Sequence, residues 1–213
     1  MREGKPVMKI VNAASTSCGI MLVPRRALFG FAVLISLIFS HPLQAQAQIP
    51  PGAASGSGIF YGLRFGLLAH DLGGLWSHTR AEGGVDWNAE VVFKKPSFML
   101  WEGAILPNFG LSINSRGDTS KIYGGVVWEF QFSNGWFFNL GTGLAVHNGQ
   151  LESDDANKKQ LGSRILFREP IEFGFTFNKN HRISVMFDHI SNAYLANPNE
   201  GMDTLGVRYG YQF

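Results

Sequence analysis

The sequence predicts an all-β fold, an eight-stranded antiparallel β-barrel that crosses an outer membrane. First, eight segments of about ten residues alternate between bulky apolar and polar side chains, which is the period of a β-strand. Second, an even number of strands of this length suits a closed barrel whose tilted strands span a bilayer. Third, an apolar segment near the N-terminus marks the chain for export, and no later apolar run is long enough for a membrane helix.

The N-terminal segment has the three parts of a secretory signal peptide. Two arginines precede an uncharged, mostly apolar run of 13 residues at 27–39. The run is shorter than the roughly 20 residues of a membrane helix. Ala45-Gln46-Ala47 then supplies a cleavage site of the small-x-small type. We therefore expect residues 1–47 to be a signal peptide cleaved near Ala47, and the Pro, Gly and Ser-rich residues 48–58 to be a flexible lead-in.

Cleavage at this site changes the charge of the chain. The leader holds five of the 18 basic and one of the 16 acidic residues, which leaves 13 basic and 15 acidic residues and a net charge of −2. The basic surplus belongs to the leader, so charge gives no support to nucleic-acid binding. The only cysteine, Cys18, also lies in the leader, which excludes a thiol nucleophile or a disulfide in the mature chain.

The eight strands are predicted from the alternation of side chains in each segment. They fall near residues 59–69, 83–93, 104–114, 120–131, 135–146, 163–177, 182–191 and 203–213. One face of each is bulky and apolar, and the other is polar, charged or glycine. With the polar face inside, a lumen would be filled by paired charges from Arg164, Arg168, Glu172, Glu90 and Asp86.

Period alone does not say which face is inside. A soluble exported barrel that binds a small apolar ligand, with its apolar faces turned inward, is therefore an alternative. The aromatic residues favour the membrane, because clusters at strand ends are typical of an interface girdle. They are Trp136, Phe137, Phe138, Tyr209, Tyr211 and Phe213.

Loop lengths predict the orientation, because bacterial barrels keep short turns in the periplasm and long loops outside. Short turns fall at 132–135 and 178–181, and longer connections at 70–82, 115–119, 147–162 and 192–202. The connection at 94–103 is long for a periplasmic turn. We expect a transmembrane barrel over 59–213 with a catalytic site near the extracellular end of the last two strands.

Three polar residues near the last loop are the types that a serine hydrolase needs. His189 and Ser191 share the apolar face of one strand, and Asp203 begins the apolar face of the next. Histidine can take the serine proton near neutral pH, and a carboxylate can orient the imidazole. Candidate oxyanion donors are the backbone N–H groups after Ser191, at Asn192 and Ala193, and the side-chain amides of Asn192 and Asn199.

The residues around this site carry a family resemblance. The run His189-Ile190-Ser191-Asn192-Ala193, followed by Pro198-Asn199-Glu200-Gly201, resembles the lipid A 3-O-deacylase (PagL) family. The resemblance implies an eight-stranded outer-membrane barrel that removes the 3-linked acyl chain from lipid A of lipopolysaccharide, with His189 as base and Ser191 as nucleophile. The family acid is usually Glu. This chain has Asp203 at that position, with Glu200 as a substitute.

The predicted reaction is hydrolysis of an ester through an acyl-enzyme, which needs neither a metal nor an organic cofactor. The expected partners are the lipid substrate and the outer membrane, with no nucleic acid, and a homodimer is left open. The alternative function is a non-enzymatic outer-membrane barrel, either structural or an adhesin.

Overall fold

Alternating side chains form nine strands in the computed structural model, which describes residues 58–77, 81–94 and 98–213. The predicted signal peptide and almost all of the predicted lead-in lie outside the described residues. The strands are β1 Phe60–Ala69, β2 Val85–Phe93, β3 Phe98–Leu100, β4 Gly103–Asn114, β5 Lys121–Gln131, β6 Trp136–His147, β7 Ile165–Phe177, β8 His181–Ser191 and β9 Met202–Gln212.

Eight of these strands close into an antiparallel barrel. Consecutive strands from β4 to β9 pair with one another, β9 pairs with β1, and β2 pairs with both β1 and β4. The predicted fold class is therefore confirmed, and each predicted strand lies within two residues of an observed one. The part of the chain that the structure describes contains no helix long and apolar enough to span a membrane.

The short strand β3 is the element that the sequence did not predict. It pairs with the first residues of β4, with Leu100 opposite Gly103, and this pairing continues where that of β2 with β4 ends. The turn between β3 and β4 is therefore only the two residues Trp101 and Glu102. The connection at 94–103, which looked long for a periplasmic turn, ends in a tight one.

The polar faces of the strands meet in the barrel interior. Arg64 contacts Glu90 at 3.0 Å and Glu129 at 3.1 Å, and Arg208 contacts Glu90 at 2.8 Å. A cavity of only about 10 Å³ remains among these charges, which is room for about one water. Four of the five predicted lumen residues are buried there, namely Asp86, Glu90, Arg168 and Glu172. The prediction for Arg164 is wrong, since it is exposed and precedes β7.

The apolar faces of the strands point outward, as a membrane-embedded barrel requires. Exposed apolar side chains follow the outer surface of every long strand, including Phe65, Trp87, Phe109 and Val185. The soluble barrel with an apolar interior is therefore wrong. At the end with the short turns, Trp136 stacks on Phe173, with ring centroids 4.9 Å apart. Phe137 does not belong to this girdle, because it faces the interior, where Arg182 lies over its ring.

Candidate active site

The ends of β8 and β9 next to the loop that joins them bring the predicted catalytic residues together. His189 and Asp203 are direct partners across the two strands. Side chains of such a pair lie on the same face of the sheet, about 5 Å apart at Cβ. The face is the outer one, because Val185 on the same side of β8 is exposed and Asp188 on the other side is buried among interior charges.

A short hydrogen bond joins the imidazole to the carboxylate. His189 Nδ1 lies 2.6 Å from Asp203 Oδ1, with the carboxylate fully buried and the imidazole nearly so. An ionised carboxylate only accepts hydrogen bonds, so the proton belongs on Nδ1. A neutral imidazole then carries its free lone pair on Nε2, which is the atom that can accept a proton from a nucleophile.

The loop between β1 and β2, residues 70–84, holds the other oxygen of the same carboxylate. The backbone N–H groups of Trp76 and Ser77 donate to Asp203 Oδ2 at 2.7 and 2.8 Å. The Trp76 ring meets the His189 ring edge-on, with centroids 5.5 Å apart, and it meets Phe187 in the same way. The loop therefore fixes the acid and packs against the imidazole.

A buried polar network holds this loop in place. Asp71 accepts hydrogen bonds from the backbone N–H groups of Ala81 and Glu82, and its other oxygen lies 3.3 Å from Lys159 Nζ in the loop between β6 and β7. His70 lies between Glu82 at 3.1 Å and Asp86 at 2.8 Å. Two loops that are distant in sequence thus hold one another.

Charge keeps the histidine of this network protonated. Burial lowers the pKa of His70, but hydrogen bonds to Asp86 and Glu82 outweigh this effect and raise the pKa to about 9. Burial raises the pKa of the Glu82 carboxyl, but the His70 hydrogen bond and the N–H groups of Thr119 and Lys159 lower it to about 2. At neutral pH the pair is therefore ionic.

Ser191 lies beside the imidazole, two residues further along β8 and half-exposed on the same outer face. Gly201 lies against both side chains: a Cβ there would be 3.2 Å from His189 Cε1 and 3.6 Å from Ser191 Cβ. Its φ of +63° lies in the left-handed region that favours glycine. Among the described residues there is no hydrogen bond between Ser191 and His189, a contact that in hydrolases often tightens only with substrate bound.

Some of the other predicted site residues already use their hydrogen-bonding groups within the protein, and others do not. The Asn192 side-chain N–H₂ donates to the carbonyls of Leu161 and Pro198, and its backbone N–H donates to Asn199 Oδ1. Both Asn192 donors are therefore engaged in holding the loop. The Ala193 N–H has no partner in the described part of the chain, so it remains available to a ligand. Glu200 accepts from the Gln160 backbone N–H at 2.7 Å, so Asp203 is the acid on His189.

Sequence reasoning missed the contributions of Trp76, Ser77 and Glu169. Nothing in the local sequence of the first two points to the site, because their contact with Asp203 spans more than 120 residues. For Glu169 a signal was present, since it is an acid at an outward position of β7. It is the direct cross-strand partner of His189 on the side opposite Asp203.

Apolar cavities lie on both sides of the site, one over β6 and β7 and one over β1, β2 and β9. A cavity of about 220 Å³ lies beside Ser191, between the outer face of β6 and β7 and the last loop, and includes Leu144, Phe167 and Leu195. A groove of about 530 Å³ runs over the outer face of β1, β2 and β9 and includes Phe65, Trp87 and Val207. The described residues contain no group of His, Cys, Asp and Glu side chains arranged to hold a metal ion.

Comparison with known proteins agrees with this geometry. The family model described as lipid A 3-O-deacylase (PagL) matches residues 61–212. A lipid A deacylase PagL of Bordetella bronchiseptica is 26% identical over 150 residues, covering 69% of this chain and 70% of the relative. That of Pseudomonas aeruginosa is 28% identical over 189 residues, covering 86% and 97% of the two chains.

A solved structure has the same fold. A crystal structure of the outer-membrane enzyme PagL superposes with a TM-score of 0.53 at 19% identity, covering 70% of this chain and 99% of that one. The family match extends from β1 through the last residue of β9 and includes the whole site. The chain therefore belongs to the lipid A 3-O-deacylase (PagL) family, and it is a bacterial outer-membrane β-barrel enzyme that deacylates lipid A.

Proposed function

We propose that this enzyme hydrolyses the 3-O-linked ester of lipid A with Ser191 as nucleophile, His189 as general base and Asp203 as the acid that orients His189. The single observation that supports this most is the His189–Asp203 hydrogen bond of 2.6 Å on the lipid-facing side of the barrel, beside Ser191. Polar side chains that face lipid are costly unless they are shielded or functional.

The proposed reaction has two acyl transfers. Ser191 Oγ attacks the ester carbonyl carbon while His189 Nε2 accepts its proton. The carbonyl carbon then releases the sugar oxygen, which takes the proton from His189, and an acyl-serine remains. Water attacks the acyl-serine, His189 again accepts and returns a proton, and the fatty acid leaves with Ser191 regenerated. Asp203 stays ionised and stabilises the imidazolium in both steps.

The oxyanion of each tetrahedral intermediate needs hydrogen-bond donors. We propose the Ala193 backbone N–H as one donor, because it follows the nucleophile and has no partner in the described residues. The Asn199 side chain is the second candidate. Asn192 contributes by holding the loop, since its donors are bonded to Leu161, Pro198 and Asn199.

The position of the site suits an ester near the boundary of headgroup and hydrocarbon. His189 and Ser191 lie at the extracellular end of β8, beyond the exposed apolar residues Val185 and Ile183 of the same face. An acyl chain can pack on this surface while the sugar stays at the level of the loops. The substrate can therefore enter sideways from the outer leaflet.

Mass spectrometry of lipid A tests the proposal directly. Cells that express the wild type should lose one ester-linked 3-hydroxyacyl chain, and cells that express Ser191→Ala should keep it. Loss of the chain with Ser191→Ala would show another nucleophile, and loss of a chain from another position would overturn the regiochemistry.

Two further parts of the hypothesis have separate tests. We propose that residues 1–47 are removed on export, and N-terminal sequencing of the mature protein should then begin at Gln48. A homodimer has no support in the family comparisons. Its test is the oligomeric state of the protein in lipid nanodiscs.

A further inference from the structure

Glu169 is an ionisable residue on the lipid-facing surface that the proposed mechanism does not use. It lies on β7 among outward-facing residues, with Phe167 before it and Ile171 after it on the same face. Across the strands it is the partner of His189, and Phe167 is the partner of Ser191. The imidazole therefore has a carboxylate on each side, Asp203 on β9 and Glu169 on β7.

The two carboxylates differ in their contacts. Asp203 accepts hydrogen bonds from His189 and from two backbone N–H groups. Glu169 Oε2 is buried without a hydrogen-bond partner, and no ion pair of Glu169 is found in the described part of the chain. His189 does not satisfy it, because its Nδ1 proton goes to Asp203. A carboxyl group held in an apolar surface without a donor is costly, so its donor is expected from outside the protein.

Small residues flank Glu169 on the β6 side. The pairing of β6 with β7 is interrupted between Leu140 opposite Ile171 and Gly143 opposite Arg168. The residues in this gap are Gly141 and Thr142, and Pro170 has no N–H to continue the ladder. The outward-facing residue of β6 at this level is Thr142, which is smaller than Leu140 and Leu144 on either side of it. A ligand group can therefore approach Glu169 from this side, whereas Trp76 packs against the His189 ring.

We propose that Glu169 binds the substrate by accepting a hydrogen bond from the sugar, from a donor next to the ester. This inference rests on the proposed function, because it places the ester at Ser191. The 3-position of a glucosamine lies between the amide N–H at position 2 and the oxygen at position 4, so a 3-O-ester has a donor within one carbon on either side. An ester held against Ser191 brings one of these donors to the neighbouring strand, where Glu169 lies two residues beyond Phe167, the partner of Ser191.

Binding without turnover tests this role. The probe is a synthetic glucosamine with an N-linked chain at position 2, an ester-linked chain at position 3 and a free 4-hydroxyl, in detergent micelles. In the Ser191→Ala background, adding Glu169→Leu should raise Kd by about 10- to 100-fold, as expected for loss of a hydrogen bond to a charged group. Glu169→Gln keeps an acceptor oxygen and should raise Kd by less than about 5-fold.

Analogues identify the donor. One analogue is a 4-O-methyl sugar, which lacks the hydroxyl donor, and the other has an ester in place of the amide, which removes the N–H donor. The analogue that lacks the donor recognised by Glu169 should bind with the same Kd to the proteins with and without Glu169→Leu. Glu102→Leu, which removes an exposed acid at the periplasmic turn, is the matched control and should leave Kd unchanged.

Several results would overturn the inference. One is an unchanged Kd in Ser191→Ala/Glu169→Leu, and another is an equal loss of affinity for a probe that lacks both donors. A third is a fall in kcat with constant Kd in Glu169→Leu alone, because that pattern belongs to a residue that positions His189. Failure of the proposed function would give a different result, because the Ser191→Ala protein itself would then cleave the probe.

Discussion

The two faces of strand β8 carry the same kinds of polar residue and use them differently. On the inner face Ser184 donates to Glu172, and Asp188 lies 2.7 Å from Arg168 and 2.8 Å from Lys121. On the outer face Ser191 has space beside it, and His189 pairs with Asp203. The interior groups compensate one another's charge and fill the barrel. The outer groups leave a serine and one imidazole nitrogen without such compensation, so the neighbours of a polar residue decide whether it is held by other charges or is free to act on a substrate.

The serines of the two faces should give the largest contrast. Ser191→Ala removes the proposed nucleophile and should lower kcat by about four orders of magnitude or more, as in other serine hydrolases. Ser184→Ala removes one interior hydrogen bond and should leave kcat within about 3-fold while costing about 1–2 kcal/mol of stability. Turnover of lipid A by the purified proteins measures the first effect, and thermal unfolding measures the second. Equal losses of kcat in the two variants would contradict the assignment of roles to the two faces.

The aspartates sharpen the same contrast. Asp203→Asn keeps the size of the side chain but favours the wrong imidazole tautomer, and it should lower kcat by about 10²- to 10⁴-fold. Asp188→Asn leaves Arg168 and Lys121 without full compensation and should destabilise the barrel by about 3–5 kcal/mol. Its kcat per folded molecule should stay within about 3-fold of the wild type. If instead Asp203→Asn unfolds the barrel and Asp188→Asn loses activity, the two roles are exchanged.

The Trp76 ring of the loop between β1 and β2 can be tested separately from the backbone hydrogen bonds that this loop donates to Asp203. Trp76→Ala retains the N–H that donates to Asp203 but removes the ring that packs on His189 and Phe187. Aromatic contacts of this kind contribute about 0.5–1.5 kcal/mol, so kcat should fall by about 3- to 10-fold.

Trp76→Phe should recover most of this activity. Trp136→Ala, at the periplasmic end of the barrel, is the control and should leave kcat unchanged. A larger effect of Trp136→Ala than of Trp76→Ala would show that the loss reflects general packing of the barrel.

The smallest effect concerns the dependence of the loop on pH. The pKa of His70 is raised from its usual 6.5 to about 9, so the stability that protonated His70 contributes is complete below about 6.5 and is lost as the pH rises through 9. The pKa of Glu82 is lowered from 4.5 to about 2, so its contribution is complete above 4.5 and is lost as the pH falls through 2. The loop should therefore be most stable between about pH 4.5 and 6.5, and it should become more mobile in alkaline solution.

A spin label at Leu75→Cys, an exposed position in this loop, provides the measurement. The label should become more mobile as the pH passes about 9, and His70→Gln should remove this transition. A transition that persists in His70→Gln would assign it to another group.

Most of the barrel could be predicted from the sequence, because strands that face lipid on one side and polar groups on the other alternate regularly. The errors occurred where alternation ends. The alternation in the sequence includes Arg164 among the polar residues of β7, but the strand begins at Ile165. Phe137 lies between two outward aromatic residues and therefore faces inward, against Arg182. Three residues are too few for alternation to indicate β3.

The site could be predicted only in part. His189 and Ser191 lie on one strand, so their shared face follows from the period of two, and Asp203 follows from the pairing of consecutive strands. The N–H groups of Trp76 and Ser77 come from a loop more than 120 residues before Asp203. Pairing of β1 with β9 closes the barrel and brings them to this carboxylate. Closure is a long-range event that no local pattern encodes.

The sequence by itself therefore determined the strands, the proposed catalytic residues and the face on which they lie, because each depends on spacing within one or two neighbouring strands. The tertiary structure decided which groups complete the site. It directs Asp203 rather than Glu200 to His189, engages the Asn192 amide in the loop, and places Glu169 beside the imidazole. These outcomes depend on distances across the closed barrel and between its loops, which the order of residues along a strand does not specify.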